Sequence, residues 1–199
     1  MLNLLMISVV AYAATNVDNL TVLLAFLAAS RGRTRVVMAG HICGSLALIF
    51  FALGCAALTL ALPRSWIGVL GIFPLGIGLG KLFKRWFAGG PNASISPDVV
   101  DESALSGWMV ALVAISNGSD NIAVYTSLYA GRPAVDEAVI SITLIAMIGV
   151  WCLMANSLVS HPVLGRRIKH YGEVALPWIL IGIGISVLQQ SGTLQRLGL

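Results

Sequence analysis

The chain reads as an all-α integral membrane protein, with six transmembrane helices arranged as two inverted 3+3 repeats. Three observations predict this. First, 58% of its 199 residues are hydrophobic and only 10% are charged, with a mean hydropathy of +0.91. A soluble domain carries about 25% charged residues. A chain this size cannot hide so much apolar surface from water, so its solvent is a bilayer. Second, Asn16-Val17-Asp18-Asn19-Leu20 and Asn117-Gly118-Ser119-Asp120-Asn121-Ile122 each place an Asp-Asn pair inside a long apolar run, 102 residues apart. Third, the basic residues alternate between rich and poor loops.

Six apolar segments follow one another at residues 2–28, 36–62, 65–83, 105–130, 134–159 and 173–190. A spanning helix needs about 20 residues, and the third and sixth are near that lower bound. The first opens on Met1-Leu2-Asn3-Leu4-Leu5 with no basic residues ahead, so it reads as a span and not a cleavable signal peptide. The second follows Arg31, Arg33 and Arg35 and carries His41 and Cys43 near its start. In the third, Pro74 precedes Leu75-Gly76-Ile77-Gly78-Leu79-Gly80. Residues 84–104 have loop chemistry, with Gly89-Gly90-Pro91-Asn92, Ser94-Ile95-Ser96-Pro97 and the acids Asp98, Asp101 and Glu102. They form a cytoplasmic linker between a first repeat, 1–83, and a second, 105–199. The fourth segment carries the second Asp-Asn pair, and the fifth holds Asn156. In the sixth, Pro177 precedes Ile181-Gly182-Ile183-Gly184-Ile185-Ser186, an echo of the third.

Lysine and arginine set the orientation. Successive loops and the tail carry 3, 1, 3, 1, 3 and 1 of them, so nine of the twelve fall on one side. That side is cytoplasmic, and both termini then face outward. This accounts for the net charge of +4 and pI of 9.3 without nucleic acid. Three spans per half is an odd number, so the second half runs inverted. Such repeats around a midplane site are a recurring transporter plan.

Only Asp18 and Asp120, of eight acidic residues, lie deep in the spans; the other six are in loops or near span ends. At 1.5 Å per residue both are within a few ångströms of the midplane. A carboxylate there costs about 2.5–3.5 kcal/mol on insertion scales, which marks a functional site. Thr15 and Asn16 precede the first pair on one helical face, and Ser116 and Asn117 precede the second. Asn117-Gly118-Ser119 is a weak helical stretch at which the helix is expected to unwind and expose carbonyls. Asp18, Asp120, Asn19, Asn121, Asn16 and Asn117 therefore make an oxygen-rich cage of formal charge −2, suited to a divalent cation. Thr15, Ser116 and Ser119 are weaker ligands, with Tyr125, Asn156 and His41 as support around them. Two close carboxylates also suit proton exchange, because like charges favour protonation of one of them.

Blander readings stand beside these. A buried Asp-Asn pair can bond helices together, although two matched pairs are harder to explain that way. The glycine stripes read as close helix packing. The odd set Cys43, Cys55 and Cys152 reads as buried small hydrophobes. His41 and Cys43 are two apart and point to different sides, which argues against a soft-metal site. His161 and His170 fall in a basic loop.

Thr15-Asn16-Val17-Asp18-Asn19-Leu20, with Val22-Leu23 after it, and Ser116-Asn117-Gly118-Ser119-Asp120-Asn121-Ile122-Ala123-Val124-Tyr125 resemble the bacterial cadmium-resistance transporters, a branch of the lysine-exporter superfamily. The length and the six spans fit as well. The resemblance implies efflux of divalent cations across the plasma membrane, cadmium among them. Softness guides metal selectivity, and no cysteine lies in either motif, so oxygen chemistry alone suits manganese, magnesium or calcium better. From the residues, the cation's identity stays open.

The resulting expectation is a secondary transporter exporting a divalent cation against protons, with no cofactor beyond its substrate. No phosphate-binding G-x-x-x-x-G-K-[ST] sequence occurs, and no nucleophile–base set suggests an enzyme. The alternative is an exporter of a cationic amino acid or other organic cation, which needs a mid-membrane Arg that is missing here. A membrane scaffold with structural Asp-Asn pairs is a third reading. A homodimer is one way for so small a protein to bury polar faces.

Overall fold

A computed structural model of the chain describes residues 1–30, 32–59, 72–83, 86, 106–159, 174, 177–183 and 185. Every regular element among them is a helix. In chain order these are α1 (Leu2–Thr15), α2 (Val17–Ala29), α3 (Thr34–Thr59), α4 (Ile72–Phe83), α5 (Gly107–Asn117), α6 (Ser119–Tyr129) and α7 (Ala134–Leu158). Residues 177–183 are helical as well. The expected linker, apart from Trp86, lies outside the described residues, as do its acids and His161 and His170.

Thr34–Leu58 and Ala134–Leu158 are long and apolar enough to cross a membrane. The α1–α2 pair qualifies as a third span if counted as one, so the described residues hold two to three candidate spans. The first segment is not the single straight helix expected from sequence. It bends by 55° between α1 and α2. The cause is local. Thr15 Oγ1 donates to the Ala11 carbonyl at 2.9 Å, and Asn16 Nδ2 donates to the Tyr12 carbonyl at 3.0 Å. Side chains bonded back to the preceding turn compete with the helical ladder and bend it.

The fourth segment is interrupted too, at Gly118. The interruption is one residue wide and not the unwound stretch expected at 117–119. Asn16 (φ −102°, ψ 11°) and Gly118 (φ −96°, ψ 14°) share nearly the same conformation. They are 102 residues apart, the spacing of the two aspartates. The Gly118 N–H still bonds the Ala114 carbonyl at 2.9 Å, and the chain re-enters the helix through Asn121 N–H to the Gly118 carbonyl at 3.0 Å.

Other ends follow ordinary capping rules. Ser106 caps α5 by accepting from the Met109 N–H at 3.2 Å. Gly131, at φ 70°, makes the turn before α7. Asp136 and Glu137 then occupy the first turn of α7, where the helix dipole favours negative charge.

Packing pairs each long helix with a broken one. α3 runs along α5 and α6, and α7 runs along α1 and α2. The α3–α5 contact is very close because it is built on small residues. A Cβ on Gly40 would collide with the Gly107 carbonyl oxygen, and one on Gly44 would lie 2.6 Å from the Ala111 carbonyl oxygen. Of the stripes expected to pack closely, Gly76, Gly80 and Gly182 have nothing within 4 Å of a would-be Cβ among the described residues, and Gly184 lies outside them. Of the three cysteines only Cys152 is buried; Cys55 is half-buried and Cys43 exposed. Phe50, Leu58, Ile142 and Leu153 present bare apolar surface, as a lipid-facing wall does. The core, including Leu23, Leu128, Ile140 and Leu144, closes around the two helix breaks.

Candidate functional site

The two breaks meet, and asparagine side chains join them. Asn16 ends α1 and is almost wholly buried. Its Nδ2 donates to the Tyr125 hydroxyl at 2.6 Å, to the Thr15 hydroxyl at 3.2 Å and back to the Tyr12 carbonyl. Its Oδ1 accepts from Asn19 Nδ2 at 3.0 Å and from Asn121 Nδ2 at 3.2 Å. Asn117 Nδ2, from the last residue of α5, donates to Asn19 Oδ1 at 3.0 Å. Four amides thus form one network, and it links residues 98 to 109 positions apart in the chain.

Both aspartates flank this network. Asp18 is the second residue of α2 and Asp120 the second of α6, and each is half-buried. The breaks thus bring two kinds of helix end to one level. The N-termini of α2 and α6 carry the carboxylates, and the C-termini of α1 and α5 present carbonyls with a negative dipole end. Such half-helix ends are the usual means of holding ions at membrane depth.

Gly118 makes the close approach of the two breaks feasible. A Cβ there would lie 2.5 Å from Leu48 Cδ1 and 3.1 Å from Asn19 Nδ2. The two motifs differ at this point. The first break carries Asn16, whose amide is the hub of the network. In the second, glycine occupies the break and the amide moves one residue back, to Asn117.

An aromatic cluster backs the amides. The rings of Tyr12 and Tyr125 lie parallel with centroids 6.4 Å apart, and Trp151 meets Tyr12 edge-on at 5.4 Å. Trp151 Nε1 donates to the Asn16 carbonyl at 3.0 Å. Sequence reasoning missed Tyr12 and Trp151. A signal existed for Tyr12, which precedes Asn16 by one turn on the same face. Trp151 stands inside an apolar run, where an indole N–H needs a partner.

The other candidates divide. Thr15 and Tyr125 join the network through Asn16. Ser116 and Ser119 are exposed and take no part in the amide bonds. Asn156 lies on the exposed side of α7, whereas the face toward α1 is built by Ile148, Trp151, Cys152 and Ala155. His41 is buried on α3, outside the amide hydrogen bonds.

Chemically, the site is rich in oxygen and poor in nitrogen and sulfur ligands. Among the described residues no three His, Cys, Asp or Glu side chains group together. Asn121 Oδ1 is fully buried and has no hydrogen-bond donor among the described residues. An amide oxygen in that state costs about 1–3 kcal/mol, so it is an acceptor held ready.

The sequence model of the family described as cadmium resistance transporter matches residues 12–198. The chain therefore belongs to that family, and it is a membrane protein of transport. No curated protein and no solved structure matches it.

Proposed function

We propose that this member of the cadmium resistance transporter family is a proton-coupled exporter of a divalent metal cation, with its ion site at the junction of the two helix breaks. The observation that carries the reading is the amide network joining Asn16, Asn19, Asn117 and Asn121, with one aspartate on each side. Asp18 and Asp120 supply the charge. The amide oxygens, Asn121 Oδ1 first, complete the shell. The amides also bond one another, which offsets the cost of burying them. Oxygen donors at this number and charge suit a hard or borderline divalent ion. Cadmium comes to this chain through its family.

Transport then follows from competition. In this reading a proton and the cation compete for the site, and their exchange drives export. In this reading six spans form two inverted repeats in the plasma membrane, with both termini outside. The shared conformation of the breaks at positions 16 and 118, and the partner exchange between α3 and α7, support the repeat part of this reading.

The test is expression of Asp18→Asn and Asp120→Asn in metal-sensitive cells, with membrane levels of each variant measured. Both are expected to lose metal tolerance while reaching the membrane. Undiminished tolerance in both would remove the assignment. Counterflow of labelled lysine in place of metal would transfer the site to an organic cation.

A further inference from the structure

The α3–α5 contact has a fixed register. Gly40 lies against Gly107, Gly44 against Ala111, and Leu48 against Gly118. The numbers rise together, so the two helices run parallel and start at one level. A Cβ on Gly107 would lie 3.4 Å from the Val36 carbonyl oxygen, so their first turns touch. Arg35 precedes Val36 and Trp108 follows Gly107. Arg33, Arg35 and Trp108 therefore share one end of the pair. All three are exposed, Trp108 by 72%. Because Thr34–Leu58 is long and apolar enough to cross a membrane, its first turn stands at a membrane–water boundary.

The opposite end is built differently. Thr126 Oγ1 donates to the Ala52 carbonyl at 3.4 Å, so α6 finishes beside the last turns of α3. There Arg132 pairs with Asp136 at 3.7 Å, and Glu137 adds a second acid. Among the described residues no acid pairs with Arg33 or Arg35. The other two described acids, Asp18 and Asp120, sit at the helix breaks. One end thus balances its charge within the chain, and the other presents two unpaired cations next to an exposed indole.

We propose that Arg33, Arg35 and Trp108 form a binding site for the phosphate headgroup of an anionic phospholipid. The inference goes beyond the transport reading and does not depend on which ion moves. Guanidinium groups match phosphate oxygens through paired N–H bonds. An indole prefers the headgroup level, where its ring meets acyl chain and its N–H meets polar groups. Val36, 40% exposed between them, offers apolar surface for the top of an acyl chain. Charge decides between lipids. Each arginine near the surface favours an anionic headgroup by about fivefold, and a zwitterionic one gains little.

The experiment uses the full chain in neutral detergent micelles, which have no inner or outer side. Phosphatidylglycerol and phosphatidylcholine, each brominated on its acyl chains, are titrated separately at low salt. Bromine quenches tryptophan on contact, and the difference between the parent and Trp108→Phe isolates the signal at this site. In the parent, half-quenching is expected at roughly tenfold less phosphatidylglycerol than phosphatidylcholine. Arg33→Gln and Arg35→Gln should each shrink that preference about three- to fivefold, and the double variant should abolish it. Arg132→Gln, at the paired end, should keep the parental preference. Equal quenching by both lipids in the parent overturns the proposal, as does a double variant with the parental preference. An equal loss in Arg132→Gln overturns it too, because net charge and not this site then sets the preference. Displacement of the lipid by equimolar inorganic phosphate would show a site for a soluble anion and would also overturn it.

Discussion

Replacing Asn16 by alanine is the sharpest probe of the junction. The side chain holds Tyr125, Asn19 and Asn121 directly, through three hydrogen bonds of 2.6 to 3.2 Å. Truncation leaves a buried hydroxyl and two buried amide groups each short of one partner. Hydrogen bonds between membrane helices average about 0.6 kcal/mol and reach about 1.7 kcal/mol. Three of them give about 2–5 kcal/mol, before any gain from relaxing the bent helix. The same change removes the back-bond to Tyr12 that helps set the bend. Asn16→Ala should therefore unfold earlier and transport poorly. Thermal unfolding in detergent, followed by Trp151 fluorescence and by size-exclusion profile, measures the first effect. A double-mutant cycle with Tyr125→Phe isolates one bond, with an expected coupling of about 0.6–1.7 kcal/mol. Stability of Asn16→Ala within about 0.5 kcal/mol of the parent, together with zero coupling to Tyr125, would refute the claim that this residue joins the two halves.

Other outcomes follow from the same geometry. Gly40→Ala and Gly44→Ala push a methyl group into backbone carbonyls of α5, and each should cost about 1–3 kcal/mol in a thermal unfolding assay. Gly54→Ala and Gly149→Ala, where nothing among the described residues lies within 4 Å, should be neutral or stabilise by up to about 1 kcal/mol in the same assay. Gly118→Ala puts a methyl group at the helix break 2.5 Å from Leu48 Cδ1 and 3.1 Å from Asn19 Nδ2, so reconstituted flux should fall several-fold and thermal unfolding should show a cost of about 1–3 kcal/mol. Trp151→Phe keeps the edge-on ring contact and loses only the bond to the Asn16 carbonyl, for an expected cost of about 0.6–1.7 kcal/mol by chemical denaturation.

The reading of the chain succeeded where a signal lay in one segment. Apolar runs mark α3 and α7 within a few residues, since length and hydropathy alone decide them. The candidate amides were visible because polar side chains stand out in such runs. The bend at Asn16 was missed. Nothing in Thr15-Asn16 announces that both side chains will turn back on their own helix. Glycine contacts were harder to read for a related reason. Close approach occurs at Gly40, Gly44 and Gly118, set by what faces them on another helix.

Two acidic groups with neighbouring amides, repeated 102 residues apart in apolar sequence, are written in the chain and need no fold to be seen. Their charge and oxygen content already limit the chemistry, because solvation in hydrocarbon penalises them individually. Which amide bonds which, the choice of Asn16 as hub, and the aromatic backing of Tyr12 and Trp151 exist only in three dimensions. Those partners lie tens to more than a hundred residues apart, and only helix packing brings them within the 3 Å over which a hydrogen bond acts.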